Sequence, residues 1–173
     1  MESFEEVLTA GGHSNSLGRA DEVLRIVLDD RTRLNELFDC IFADDAWVRM
    51  RAIDTFEKII RDNPELAKPY LNRIFTELTP STQPSIQWHL AQIFSQVELT
   101  DTQRDTATSW LKNTIATTDV DWIVSVNTMK ALLQFHKNGQ VTTSELTRLF
   151  KIQESHSSKS VRKKAASFVA SLQ

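Results

Sequence analysis

A short signature returns along this chain at nearly fixed intervals, and it constrains the fold more than any other feature. The four occurrences are Trp47-Val48-Arg49, Ser85-Ile86-Gln87, Trp122-Ile123-Val124 and Ser160-Val161-Arg162. Their branched residues, Val48, Ile86, Ile123 and Val161, are separated by 38, 37 and 38 residues. A period of roughly 20–50 residues marks a protein of stacked supersecondary units. Each unit is too small to bury its own apolar face, so neighbours must stack to close a core.

Between the signatures the apolar residues keep helical spacing. Leu34, Leu37, Phe38, Ile41 and Phe42 form one stripe of a 3.6-residue helix, and Val48, Ala52, Phe56, Ile59 and Ile60 form the next. Asp44 or Asp45 caps that second helix. Asn63-Pro64-Glu65 supplies a cap, a first-turn proline and a first-turn acid for a second pair. Its first helix holds Leu66, Tyr70, Leu71, Ile74 and Phe75, and Pro84 opens its second. Thr100-Asp101-Thr102-Gln103 and Thr142-Thr143-Ser144-Glu145 read as capping boxes that open pairs three and four. Asp119 or Asp121 caps the second helix of pair three, and Asn138-Gly139 stops it. Ahead of the pairs, residues 4–8 form a helical turn, Gly11 to Ser16 reads as a connector, and a helix over residues 17–28 caps the array. The expected architecture is all-α: four helical hairpins plus an N-terminal capping helix, with residues 1–16 a partly flexible segment and 17–173 one repeat domain.

Composition supports this and narrows the setting. Four glycines and four prolines in 173 residues are too few for an all-β fold with many turns. A single cysteine, Cys40, allows neither a disulfide framework nor a cysteine zinc site, and on its apolar stripe it reads as a small core residue. No apolar run reaches membrane-spanning length, and the acidic start lacks the basic region of a signal peptide, so a cytoplasmic location with no membrane contact is expected. Net charge is −3, but residues 130–173 carry eight Lys/Arg against two Glu, a net +6 that leaves −9 for residues 1–129.

The first pair, an apolar helix followed by Asp44-Asp45-Ala46-Trp47-Val48-Arg49-Met50-Arg51-Ala52, resembles a HEAT repeat. Val161-Arg162-Lys163-Lys164-Ala165 repeats the opening of its second helix, and Pro69 lies where HEAT helices often bend. The period is slightly shorter than the roughly 40–47 residues of that family. Gln87 and Val124 replace the arginine in pairs two and three. The resemblance implies a right-handed α-solenoid whose second helices line a concave, partner-binding face. It implies a non-enzymatic interaction module or scaffold that needs no cofactor and binds a protein or peptide.

On that reading Trp88 is the foremost candidate contact. On a wheel of about 100° per residue, Ile86, Leu90, Ile93, Phe94 and Val97 share one side of their helix and Trp88 falls opposite. It is either a partner anchor or a residue packed against the neighbouring repeat. Three residues after each aligned branched position stand Arg51, His89, Val126 and Lys164, a row across the stack in which Arg51, His89 and Lys164 face a partner or solvent. Trp47, Trp110 and Trp122 read as core. The four histidines show no metal-ligand spacing.

The alternative is nucleic-acid binding through the basic end, with Arg162 and Lys163 on phosphates. The helix openings are similar to those of HEAT-like alkylpurine DNA glycosylases, which keep a catalytic Asp four residues after a Trp. Here the corresponding residues are Arg51, Gln92, Thr114 and Val126, and the pI near 5.8 disfavours nucleic acid. A monomer or weak homodimer is expected, with Ala166 and Ala170 as the candidate self-contact.

Overall fold

A computed structural model describes residues 2–13 and 16–172; within the connector expected at Gly11 to Ser16, Ser14 and Asn15 lie outside the described residues. All regular structure among the described residues is helical. The helices are α1 (Phe4–Thr9), α2 (Ala20–Asp29), α3 (Leu34–Asp39), α4 (Ala46–Asp62), α5 (Leu71–Arg73), α6 (Pro84–Gln96), α7 (Asp101–Thr114), α8 (Trp122–Lys137), α9 (Thr143–Gln153) and α10 (Lys159–Ser171).

Capping chemistry sets most of these boundaries. Thr100 with Gln103 and Thr142 with Glu145 form the two expected capping boxes, and Ser3 with Glu6 forms a third at α1. Each satisfies orphan amide hydrogens reciprocally. The Asp45 carboxylate accepts from the Trp47 amide at 2.7 Å and that of Asp121 from the Ile123 amide at 2.9 Å. Gly139, at φ 79°, ends α8 in the left-handed region that glycine tolerates. Asn63 does not cap as its sequence suggests: its side chain makes no cap hydrogen bond and instead accepts from Arg31.

The first arm of the second hairpin also departs from a plain α-helix. It runs as a 3-10 segment (Pro64–Tyr70), the single turn α5 and a π segment (Ile74–Leu78). Pro69 is the physical reason, since it lacks an amide hydrogen and its ring clashes with the carbonyl four residues back. Apolar registration survives, because Ala67, Tyr70, Leu71, Ile74 and Leu78 are all buried. Tyr70 closes an aromatic cluster with Phe38 and Phe56, with ring centroids 4.5 and 5.4 Å away.

The capping helix α2 packs on α4, and the four second helices pack in succession: α4 on α6, α6 on α8 and α8 on α10. Arg49 near the start of α4 donates to Gln83 just before α6, while Gln96 at the end of α6 donates to Glu57 late in α4. These pairs make α4 and α6 parallel. A depression between residues 94–98 and 134–140 joins the C-terminal ends of α6 and α8, and another joins those of α8 and α10. All four helices therefore run the same way, with their N-termini along one edge. α1 packs on α2 and α4, and the buried Phe4, Val7 and Leu8 join the common core.

The recurring signature has a mechanical role. The Arg49 guanidinium donates to the carbonyls of Ala43 and Asp44, six and five residues back, at 2.8 Å each. Arg162 does the same to His156 and Ser157, at 2.7 Å each. Gln87 reaches Ser81, again six residues back. Each side chain satisfies carbonyls that the hairpin turn leaves without helical partners. In α8 the signature is shifted by one residue: Val124, fully buried, takes the branched position expected of Ile123. Ser125, four residues after the cap as Arg49 and Arg162 are, is too short to reach the turn, which is served from the next hairpin instead. The Gln153 amide donates to the carbonyls of Ile115 (3.0 Å) and Thr117 (2.7 Å), and His156 Nε2 donates to that of Val120 (2.7 Å). His156 Nδ1 accepts from the Ser158 amide, which fixes that tautomer.

Candidate functional site

The row read from the repeat alignment does not form on the surface. Arg51 is only 4% exposed: its guanidinium donates to the carbonyls of Leu8 (2.5 Å) and Ser16 (2.9 Å) and fastens the segment between α1 and α2 onto α4. His89 is fully enclosed. Its Nδ1 lies 2.6 Å from the Ser85 carbonyl and donates to it, while Nε2 lies 3.5 Å from Asp54 Oδ1. The Nζ of Lys58 stands 2.8 Å from the other Asp54 oxygen. Burial pushes the Asp54 carboxyl up, but His89 and Lys58 together outweigh it and hold the group below its ordinary value. With Glu57 accepting from Gln96 at 2.7 Å, these residues make a polar seam between α4 and α6. The seam is closed to solvent at His89 and joins two helices.

Trp88 is half-buried, and its ring stacks on His89 with centroids 3.4 Å apart. Lys164 is exposed, with its Nζ 4.9 Å from the Phe168 ring centroid, and Lys163 is exposed beside it. Arg162 is half-buried and tied to its own turn, so it does not project as a phosphate contact.

The tryptophans read as core divide. Trp110 is packed on the core, donates from Nε1 to the Thr79 carbonyl at 3.1 Å and meets Phe94 edge-on. Trp47 is half-buried, and Trp122 is 52% exposed, the most exposed of the large apolar side chains. The reason is position. Both begin helices, where the side chain tilts back past the first turn and no preceding turn covers it. Trp47, Met50 and Pro84 line an apolar groove of about 260 Å³ between the N-termini of α4 and α6. Asp44 and Asp119, both exposed, stand three residues before Trp47 and Trp122. This Asp-x-x-Trp pair is visible in the sequence, but the period alone assigns its tryptophans to the interior.

Two other features complete the surface. A depression of about 770 Å³ lies beside α3 and contains Arg33 and Glu36, which pair at 2.6 Å while Arg33 stacks on Phe4 at 3.8 Å. The Cys40 thiol at its floor is buried, and that burial, with Glu5, Glu36 and Asp39 nearby, pushes it up to about 12. Among the described residues no three His, Cys, Asp or Glu side chains group as metal ligands, and no helix is long and apolar enough to cross a membrane.

The chain matches no family model, no curated protein and no solved structure.

Proposed function

We propose that this protein is a right-handed α-solenoid of HEAT-like hairpins, serving as a non-enzymatic interaction module for a protein or peptide. The partner sits on the layer formed by α4, α6, α8 and α10. One observation carries the reading: three tryptophans of that layer, Trp47, Trp88 and Trp122, are left partly or largely uncovered, Trp122 by 52%. Tryptophan is strongly enriched among residues that dominate binding energy, and truncating one at an interface centre typically costs at least about 2 kcal/mol. The 37–38-residue period and the matching turn contacts of Arg49 and Arg162 support the HEAT-like part of the proposal. The proposal takes the chain as cytoplasmic, cofactor-free and a monomer or weak homodimer, with exposed Ala166 and Ala170 on α10 as the self-contact.

The test is proximity labelling in the source cells with wild type and the triple variant W47A/W88A/W122A. The expected result is a protein recovered with wild type and depleted at least tenfold with the variant, while circular dichroism melts coincide. Recovery indifferent to all three substitutions refutes the proposal. Exposed Lys159, Lys163 and Lys164 favour the nucleic-acid reading as second choice. Anisotropy of labelled single- and double-stranded DNA and RNA decides it. Binding that falls steeply with salt, and falls again in K163E/K164E, places phosphates there.

A further inference from the structure

We infer that the N-terminal edge of α4, α6 and α8 docks a basic, extended segment of a protein partner that carries two large apolar residues. The inference rests on the interaction-module reading and adds the chemistry of the occupant.

The edge has an alternating character. At α4 the groove of Trp47, Met50 and Pro84 offers an apolar seat of about 260 Å³, and exposed Asp44 stands two residues before Ala46 of its lining. At α8 the 52% exposed Trp122 offers a second seat, with exposed Asp119 three residues before it. Between them the approach to α6, residues 79–83, is uncharged. Asp45 and Asp121 add negative charge while each spends one oxygen on a helix cap. The two cations in the opening turns of α4, Arg49 and Arg51, both turn inward to backbone carbonyls, those of Ala43 and Asp44 and those of Leu8 and Ser16. From α4 to α8 the edge is thus apolar at two points and anionic at its rim, with the exposed lysines of α10 beginning one helix beyond. It is complementary to a segment that spans α4 to α8, apolar at two points and cationic between them.

The parallel packing fixes the spacing. α4 and α8 are separated by α6, so Trp47 and Trp122 stand about two interhelix spacings apart, roughly 16–20 Å. An extended chain advances about 3.3 Å per residue, so the two apolar residues of the occupant lie about five or six residues apart. A main chain crossing the ends of three parallel helices also meets the positive ends of their dipoles, which disfavours a purely cationic ligand and favours one whose positive charge sits at the acidic rims.

The experiment uses the full chain and a fluorescein-labelled lysine-rich peptide with two leucines about six residues apart. Its controls are a twin with glutamate for lysine and a twin with adjacent leucines. The expected result is saturable anisotropy with the first peptide only. That binding weakens about fivefold in D44N/D119N, whose surface changes leave folding intact, and at least about thirtyfold in W47A/W122A. Equal binding of the lysine and glutamate peptides, or unchanged binding by D44N/D119N, overturns the inference. If no peptide binds but W47A/W88A/W122A still loses a cellular partner, the interaction module stands and this occupant falls. Sedimentation is run in parallel. Self-association abolished by D44N/D119N makes the occupant the basic α10 of a second copy and likewise overturns the partner assignment.

Discussion

Gln153 is a fully buried polar side chain that holds together two hairpins, and replacing it with methionine isolates that role. Methionine keeps nearly the same length and volume, so the cavity contribution is small. Three groups lose their partner: the Ile115 carbonyl, the Thr117 carbonyl and the Ser125 hydroxyl, which donates to Gln153 Oε1 at 2.8 Å. A buried group stranded in this way costs about 1–3 kcal/mol. Ile115 is fully buried and takes a value near the middle of that range, about 2 kcal/mol. Thr117 is exposed as a residue, so water replaces much of the loss and about 0.5 kcal/mol remains. The Ser125 hydroxyl can rotate toward the carbonyl four residues back, at Asp121, leaving about 0.5 kcal/mol. The sum is about 3 kcal/mol, equivalent to a fall in Tm of about 6–12 °C for a chain of this size. Urea unfolding followed by circular dichroism measures it, and the midpoint must fall with the slope unchanged. A Q153M chain within about 1 kcal/mol of wild type refutes the reasoning, because it means the turn carbonyls are served as well by solvent.

Three other outcomes follow from the same geometry. Arg51→Met frees the Leu8 and Ser16 carbonyls, so proteolysis between α1 and α2 accelerates at least about tenfold, while amide exchange in α8 stays unchanged. The Cys40 thiol, held up to about 12 by burial, reacts with a disulfide reagent at pH 8 only after denaturant is added, and fast reaction of the native chain contradicts its placement. Hydrogen bonds from Lys112 and Thr142 hold Glu145 down to about 2. Its stabilising contribution is therefore present above the ordinary carboxylate range and lost as pH falls toward 2, and E145Q flattens that part of the acid-unfolding curve.

The sequence made the hairpins legible because their information is local. Thr100, Gln103, Thr142, Glu145, Asp45 and Asp121 act within three residues, and each caps as its pattern indicates. The repeat period located Val48, Ile86 and Val161, all buried, but in the third hairpin it is out by one residue: Val124 is the buried branched residue and Ile123 is only half-buried. The other failures were non-local. A wheel drawn for one helix cannot register that α6 has helices on both sides, so His89, off the main stripe, is enclosed all the same. Arg51 is covered by a connector far away in sequence. The signature alignment pairs Trp47 with Trp122, but counted from the capping residues Trp47 matches Ile123 and Trp122 stands one residue nearer its cap, so repetition carries no information on its burial at the first turn of α8.

The third turn borrows its fasteners from the hairpin that follows, through Gln153 and His156, whereas Arg49 and Gln87 lie in the same hairpins as the turns they serve. The array is thus not a string of equal beads. Its last two units share one cooperative fate, and a chain cut after α8 loses the order of the turn before it. From its C-terminal end the protein gives way two units at a time.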